Sequence, residues 1–323
     1  MSERIGIGVI GLGVMGQRML ARLAAHSRAH ACAVWDPDAT ALEQTRQRYP
    51  GIVAARAPGE LIAMRELRCL YVASPPASHL EYAGQAFDAG LAVFCEKPLT
   101  VDFEAGRRSI ARIVAQKLRA AVNFSLASSP GLAAMAAAVE DGSIGEPRAV
   151  EIEVAFDQWP RAWQSAAGRW LAQRAAGGFT REVLSHFVFV LQRVLGRASV
   201  ERSQPEYPPD GVSAERALEA RLSAAGVPVA IEGRVGGSHP DFNRMTLSGS
   251  RGAIEIHDWF GLRRRSAGGD WVAERSPQEN RATGQAAQLD QVVAMVEGRA
   301  HALPDFAEAL AVQETIEALL TRR

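Results

Sequence analysis

The sequence predicts an α/β protein with a doubly wound parallel sheet at its N-terminus and a second, mostly antiparallel sheet after it. Three observations carry this. Residues up to Phe124 alternate between short β-branched runs and segments with helical spacing. A glycine-rich string, Gly11-Leu12-Gly13-Val14-Met15-Gly16, sits where the first strand would hand over to the first helix. Beyond Phe124 the apolar period shifts toward two.

The first strand runs from Ile5 to Ile10, and later ones span Ala31–Trp35, Cys69–Ala73, Ala92–Cys95 and Ala120–Phe124. Between them, spacing such as Leu80, Ala83, Phe87 and Leu91 marks helices. This rhythm means βαβ units with right-handed crossovers. After Phe124 an alanine-rich helix covers Gly131 to Asp141, and Gly142–Pro147 makes a turn. Val150, Ile152, Val154 and Phe156 then alternate with Glu151, Glu153 and Ala155, a strand buried on one face. Further strands are expected over Ser213–Ala224, Val227–Val235, Met245–Ser248 and Ala253–His257. Helices are expected from Phe179 to Leu195, stopped by Gly196, from Gln285 to Val296, and from Phe306 to Leu320. The chain divides into a domain of residues 1–124 and a domain of residues 125–323.

Composition narrows the function classes. The 323 residues hold 36 Lys+Arg against 36 Asp+Glu and are 47% hydrophobic, which excludes a largely disordered chain and offers no basic surplus for nucleic acid. Arg263, Arg264 and Arg265 form the densest charge run and read as a solvated loop. Cys32, Cys69 and Cys95 each lie in a strand-like run and read as buried thiols in a reducing compartment. There is no CxxC or Cys/His cluster, so no metal is expected. Without a signal-like start or a membrane-length apolar span, a soluble cytoplasmic protein is expected.

The glycine string is a GxGxxG in the context that gives it meaning, strand before and helix after. Gly11 permits the tight turn, Gly13 lets a pyrophosphate approach the backbone, and Gly16 lets helix pack on strand. Leu12, Val14 and Met15 would present backbone N–H groups to the phosphates. Asp36 ends the second strand, where a carboxylate accepts from the adenosine ribose hydroxyls and repels a 2′-phosphate. NAD is therefore favoured over NADP; the competing role for Asp36 is a cap or turn before Pro37. Ser74, Pro75, Pro76 and His79, and also Glu96-Lys97-Pro98, follow strand ends where this Rossmann-type architecture binds ligands. His79 could equally be a first-turn helix residue.

With these motifs assembled, the chain resembles the Gfo/Idh/MocA oxidoreductase family, the glucose–fructose oxidoreductase and inositol dehydrogenase group. The resembling residues are Gly11 to Gly16, Ser74 to His79, Glu96 to Pro98, and Gly177-Gly178 with Glu182 and His186. The turn at Gly142–Pro147 and the stretch Gly249–Glu255 are similar to the family's entry into its large sheet and a late hairpin of it. The resemblance implies a large open sheet in the second domain and association as a homodimer or homotetramer through that sheet. It implies nucleotide contacts from Glu96, Lys97 and Asn123, and a catalytic group of Lys97, His186 and Glu182. His186 is expected as general acid/base, Lys97 as the polarising cation and Glu182 as the tuning carboxylate; the first two roles are exchangeable. Two departures stand out. Glu182 replaces the more usual Asp, and Asn123–Pro130 lacks the arginine that many sugar-oxidising relatives carry.

Between Gln158 and Arg174 lie Trp159, Trp163, Trp170, Arg161, Arg169 and Arg174. Aromatic rings there stack on a sugar or nicotinamide, or else anchor the segment to the core. Arg169 and Trp170, with Lys97 and His186, are the expected substrate contacts. The expected activity is NAD-dependent hydride transfer with a secondary alcohol or carbonyl of a small polar, sugar- or polyol-derived molecule. A redox-neutral, NAD-retaining glycosidase or epimerase and an NAD-binding regulator are the alternatives.

Overall fold

Local chemistry sets the first sheet. β1 (Ile5–Ile10) is buried at every position, as a parallel strand covered on both faces must be. It is followed by α1 (Val14–Ala25), β2 (Ala29–Trp35), α2 (Ala39–Arg48), β3 (Val53–Ala54), α3 (Pro58–Ile62), β4 (Leu67–Val72), α4 (His79–Asp88), β5 (Ala92–Glu96), α5 (Phe103–Gln116) and β6 (Ala120–Asn123). Asp38 caps α2 by accepting from the Thr40 N–H at 2.8 Å, and Asp102 caps α5 by accepting from Ala105 at 3.0 Å. The strands pair in parallel in the order β3-β2-β1-β4-β5-β6. Strand order reverses between β1 and β4, so the doubly wound sheet opens its ligand crevice there. The computed structural model describes residues 4–167, 169–237 and 240–322.

The second sheet is larger. The chain continues through α6 (Pro130–Glu140), β7 (Pro147–Phe156), α7 (Ser185–Leu195), β8 (Ala198–Glu206), β9 (Ala217–Ala224), β10 (Val227–Val235), β11 (Phe242–Gly249), β12 (Gly252–His257), β13 (Gly261–Ser266), β14 (Val272–Arg275), α8 (Pro277–Val296) and α9 (Phe306–Leu319). The sheet order is β14-β13-β12-β11-β7-β10-β9-β8. β7 and β10 pair in parallel and the remaining neighbours antiparallel. Val150, Ile152 and Val154 of β7 line up with Val229, Ile231 and Gly233 of β10 on the buried face. The opposite face is charged. Glu153 stands beside Glu232, which stands beside Glu219, and Arg244 pairs with Glu153 at 2.5 Å.

Arg263, Arg264 and Arg265 lie within β13, not in a solvated loop. Neighbouring strands supply acids to two of them: Arg263 Nε donates to buried Glu255 at 2.7 Å, and Arg264 pairs with Glu274 at 2.6 Å, while Arg265 is exposed. The three cysteines are free and buried, and burial pushes the Cys32 thiol up to about 11 and the Cys69 thiol to about 12. Among the described residues no helix is long and apolar enough to cross a membrane.

Contacts divide the chain into two compact units. One holds the residues up to Phe124 together with Gln285–Leu310; the other holds Ser125–Gly284 and the residues from Ala311 on. The first unit's core shows why 285–310 belongs to it. Leu289, Val292, Val293 and Met295 of α8 join Ile7, Val9, Met19, Leu20 and Leu23 in one buried cluster. Polar ties flank the cluster: the Val122 N–H donates to Pro304 O at 2.8 Å and Arg119 to Val296 O at 2.5 Å. Leu289→Ala removes an anchor that is 2% exposed and is expected to lower stability by about 2–5 kcal/mol in chemical denaturation followed by circular dichroism. A change within about 0.5 kcal/mol, the size typical of a surface substitution, would contradict that packing.

Candidate functional site

The glycine turn is built for a close ligand. Gly11 has φ +95°, and a Cβ there would stand 2.4 Å from the Ala73 carbonyl. A Cβ on Gly16 would meet Gly11 O at 1.9 Å, so only glycine lets α1 pack this close. At Gly13 the same test finds nothing within 4 Å, and the residue is exposed at the head of α1. Open space thus stands over N–H groups that a helix leaves without an internal acceptor. Asp36 follows β2 with both carboxylate oxygens fixed by backbone: Leu12 N–H donates at 2.6 Å and Asp38 N–H at 2.8 Å. These residues fit a dinucleotide, the pyrophosphate over Gly13 and the ribose hydroxyls at Asp36.

At the neighbouring strand ends, Ser78 Oγ donates to Ser74 Oγ at 2.8 Å. Pro75 is exposed and Pro76 opens a short 3₁₀ turn before α4. His79 is 1% exposed, with Nε2 2.7 Å from Ser74 O and Nδ1 2.9 Å from Pro98 O. It joins the loop after β4 to the loop after β5, and burial lowers its proton affinity against the pull of those carbonyls. Glu96, the last residue of β5, is 5% exposed. Its Oε1 accepts from Tyr71 Oη and, at 2.6 Å, from Asn123 Nδ2. Gln288 Nε2 donates to Asn123 Oδ1 at 2.8 Å, and Arg22 donates to Gln288 Oε1 at 2.7 Å. Burial raises the Tyr71 hydroxyl well above its ordinary value, with the Glu96 charge adding to it. Asn123 and Glu96 thus share one buried network, and half-buried Lys97 is the next residue along. Tyr71, Gln288 and Arg22 were not singled out in the sequence because no local motif links them.

In the second unit, Glu182 and His186 lie on one continuous helical segment that begins irregularly. Thr180–Leu184 form a π turn before α7. Ser185 is the local cause: its N–H reaches Thr180 O, and its hydroxyl takes Arg181 O at 2.7 Å. Such turns recur at functional sites and leave no periodic trace. Gly178, at φ +100°, leaves room for Glu215, whose Oε1 accepts from Thr180 N–H at 2.8 Å. Burial raises the Glu215 carboxyl above its ordinary value. Arg181 pairs with Glu317 at 2.6 Å and donates to Arg174 O and Gly177 O, both at 2.9 Å, which fixes the approach to the helix.

His186 is 5% exposed and meets the Trp259 indole edge-on, ring centres 5.4 Å apart. Trp259 was not foreseen; no motif surrounds it. Trp159 donates to Leu171 O at 2.9 Å and packs on Phe156 and Phe179, which makes it an anchor. Arg161 and Trp163 lie in the same cluster, with the guanidinium carbon 4.8 Å from the Trp163 ring centre. Trp170 is half-buried in a short 3₁₀ segment, and the side chain of Arg169 lies outside the described residues. Among the described residues no group of three His, Cys, Asp or Glu is arranged to hold a metal.

Residues 5–124 match the NAD-binding Rossmann fold of the Gfo/Idh/MocA oxidoreductase family, and residues 136–322 match its C-terminal α/β domain. The chain belongs to this family. An inositol 2-dehydrogenase of Corynebacterium glutamicum (strain R) is 32% identical over 150 residues, 45% of this chain and 44% of that one. Inositol 2-dehydrogenase 1 of Mycolicibacterium vanbaalenii is 26% identical over 292 residues, 88% of this chain and 82% of that one. The fold is shared with an Agrobacterium radiobacter oxidoreductase crystallised with NAD+, L-tartaric acid and magnesium, at TM-score 0.84 and 15% identity over 98% of this chain and 95% of that one.

Two outcomes test this family site. Asp36→Ser removes the charge at the ribose position and is expected to weaken NAD binding ~10-fold while narrowing the preference over NADP, read by fluorescence titration. Glu215→Gln keeps an acceptor for Thr180 but cannot ionise. A carboxyl whose folded proton affinity is raised contributes stability below its unfolded titration, and that contribution is lost as pH rises through the folded one. Wild type and variant are therefore expected to melt alike in acid and to diverge toward neutral pH, with Glu215→Gln the more stable. Parallel melting curves across that range would refute the buried-carboxyl assignment.

Proposed function

We propose that the protein is an NAD-dependent oxidoreductase. It would move a hydride between nicotinamide and a secondary alcohol or carbonyl of a small polar molecule derived from a sugar or polyol, with Lys97 and His186 handling the proton. The observation that carries the reading is the fixing of Glu96: a buried carboxylate that accepts from Tyr71 and Asn123 stands immediately before a half-buried lysine at the carboxyl end of β5. The inositol dehydrogenases similar to this chain support the substrate class.

Bound NAD supplies the two-electron chemistry. The chain's own work is proton management and positioning. An alcohol losing hydride must lose its hydroxyl proton, and a buried imidazole is a suitable acceptor. The Lys97 ammonium donates a hydrogen bond to the reacting oxygen and stabilises negative charge as it develops. Glu182, four residues before His186, orients the imidazole. The π turn and the Glu215 contact set the rotation at which Glu182 enters the helix.

The test is near-ultraviolet absorbance of reduced nicotinamide, with NAD or NADP and a panel of inositols, sugars and hydroxy acids. Lys97→Met and His186→Asn are each expected to lower kcat by ~10²–10⁴-fold while NAD binding persists. Whichever variant loses the basic-side limb of the pH–rate profile holds the acid that limb reports. No turnover in wild type despite NAD binding would favour a redox-neutral enzyme or a regulator.

A further inference from the structure

The cluster around Arg161 lies in the second unit beside His186, and its parts are positioned at a cost. Asp258 and Trp259 both adopt left-handed backbone, at φ 46° and 71°. Neither is glycine, so each sits in a conformation that side chains disfavour. Asn243, 5% exposed, holds them there. Its Oδ1 accepts from Trp259 N–H at 2.7 Å and its carbonyl from Asp258 N–H at 2.9 Å. The result is an indole with an imidazole and a guanidinium beside it. The His186 ring centre is 5.4 Å from it and the Arg161 guanidinium carbon 5.7 Å.

Arg161 is itself fixed. Its backbone N–H and Nε both donate to Oε1 of Gln164, at 3.2 and 3.0 Å, and Gln164 is 3% exposed. The guanidinium carbon lies 5.4 Å from the Phe156 ring centre, 5.6 Å from Trp159, 4.8 Å from Trp163 and 5.7 Å from Trp259. All four are within cation–π range. Trp163 is 47% exposed, so the cluster opens to solvent on that side. Aromatic rings engage the face of a guanidinium, whereas its N–H donors lie in its plane and pair edge-on with a planar anion. Surrounding rings also lower the local dielectric, which strengthens an ion pair formed at that edge.

We propose that Arg161 is the specificity-determining residue of this site and that the substrate carries a carboxylate, as an aldonate or uronate does, which pairs with the Arg161 edge while its carbinol addresses His186. This deepens the oxidoreductase reading and rests on it. A planar carboxylate suits one guanidinium fork because both oxygens are met by parallel N–H donors. Arg161 and His186 each lie against the same indole, so the carboxylate and the reacting carbinol belong to one small molecule that spans both.

The test is calorimetric titration of the NAD-loaded full chain with hexuronates and aldonates, the matching neutral hexoses and inositols, and a hexose phosphate, paired with steady-state rates on the same panel. An acid is expected to bind more tightly than its neutral counterpart and than the phosphate. Arg161→Met is expected to raise the acid's Kd and KM by ~10–100-fold with kcat changed far less. Arg161→Lys is expected to recover only part of this, because it keeps the charge but not the fork. Equal binding of acid and neutral sugars, tighter binding of the phosphate, no binding of any acid, or equal losses in kcat and KM would each overturn the proposal. If Arg161→Met fails to fold, the wild-type preference between acid, neutral and phosphate decides it alone. Neutral polyols turned over through Lys97, with no gain from a carboxylate, would refute this inference and leave the oxidoreductase reading standing.

Discussion

A carboxylate buried at the end of a parallel strand must be bonded on its open sides or give up its charge, and the first unit is arranged around that requirement at Glu96. Its oxygen gathers Tyr71 from the end of β4 and Asn123 from the end of β6, so three adjacent strands are tied across their carboxyl ends. Asn123 then needs a partner for its own oxygen, which Gln288 of α8 supplies. Gln288 needs one for its oxygen, which Arg22 of α1 supplies. Arg22 is in turn a half-buried cation whose proton affinity falls through desolvation while nearby Tyr71 and Glu96 oppose the fall. Each link satisfies a group the previous link buried. This chain of obligations, together with apolar packing at Leu289 and Val293, accounts for α8 lying on a sheet whose last strand ended more than 150 residues earlier.

The second unit meets the same problem with different residues. Glu215 is buried against the start of the π turn, and the N–H of Thr180 fixes it. Arg181, one residue later, reaches Glu317 and two carbonyls of the preceding loop. The helix that carries Glu182 and His186 is therefore set by contacts at its entry rather than by its own propensity, which the β-branched and aromatic run Phe187–Val190 does little to supply.

Most of the fold was legible because it depends on patterns local to the chain. Alternation exposed β7 and β10, and the glycine string with Asp36 exposed the nucleotide crevice. What escaped depends on partners distant in sequence. β3 is two residues long and exists through pairing with β2. β8 reads as polar, Ser-Val-Glu-Arg-Ser-Gln, since it is an edge strand with one buried side. The arginines of β13 looked like solvent-facing charge because the acids that receive them, Glu255 and Glu274, lie in neighbouring strands. Periodicity showed an apolar face on 285–296 but could not say which core it would enter. In the site, Lys97 and His186 were visible through motif resemblance, whereas Trp259 and Arg161 come together across almost one hundred residues with no motif at either end.

A common logic connects these sites. In each, the side chain suited to chemistry is preceded or supported by a buried polar group held by a hydrogen bond. Glu96 is locked and Lys97 follows it. Glu215 is locked at the entry of the helix that carries His186. Gln164 is locked against the backbone and Nε of Arg161. Preorganisation of this kind puts much of the desolvation cost on groups outside the reaction, so the reacting groups can titrate or pair with little reorganisation of their surroundings. The left-handed Asp258–Trp259 turn belongs to the same logic. Left-handed backbone at successive residues is what tight hairpins use, and in the turn that closes β12 on β13 one buried asparagine holds both residues in it. That turn sets Trp259 against both His186 and Arg161, where a shift of even 1 Å would matter to a bound substrate.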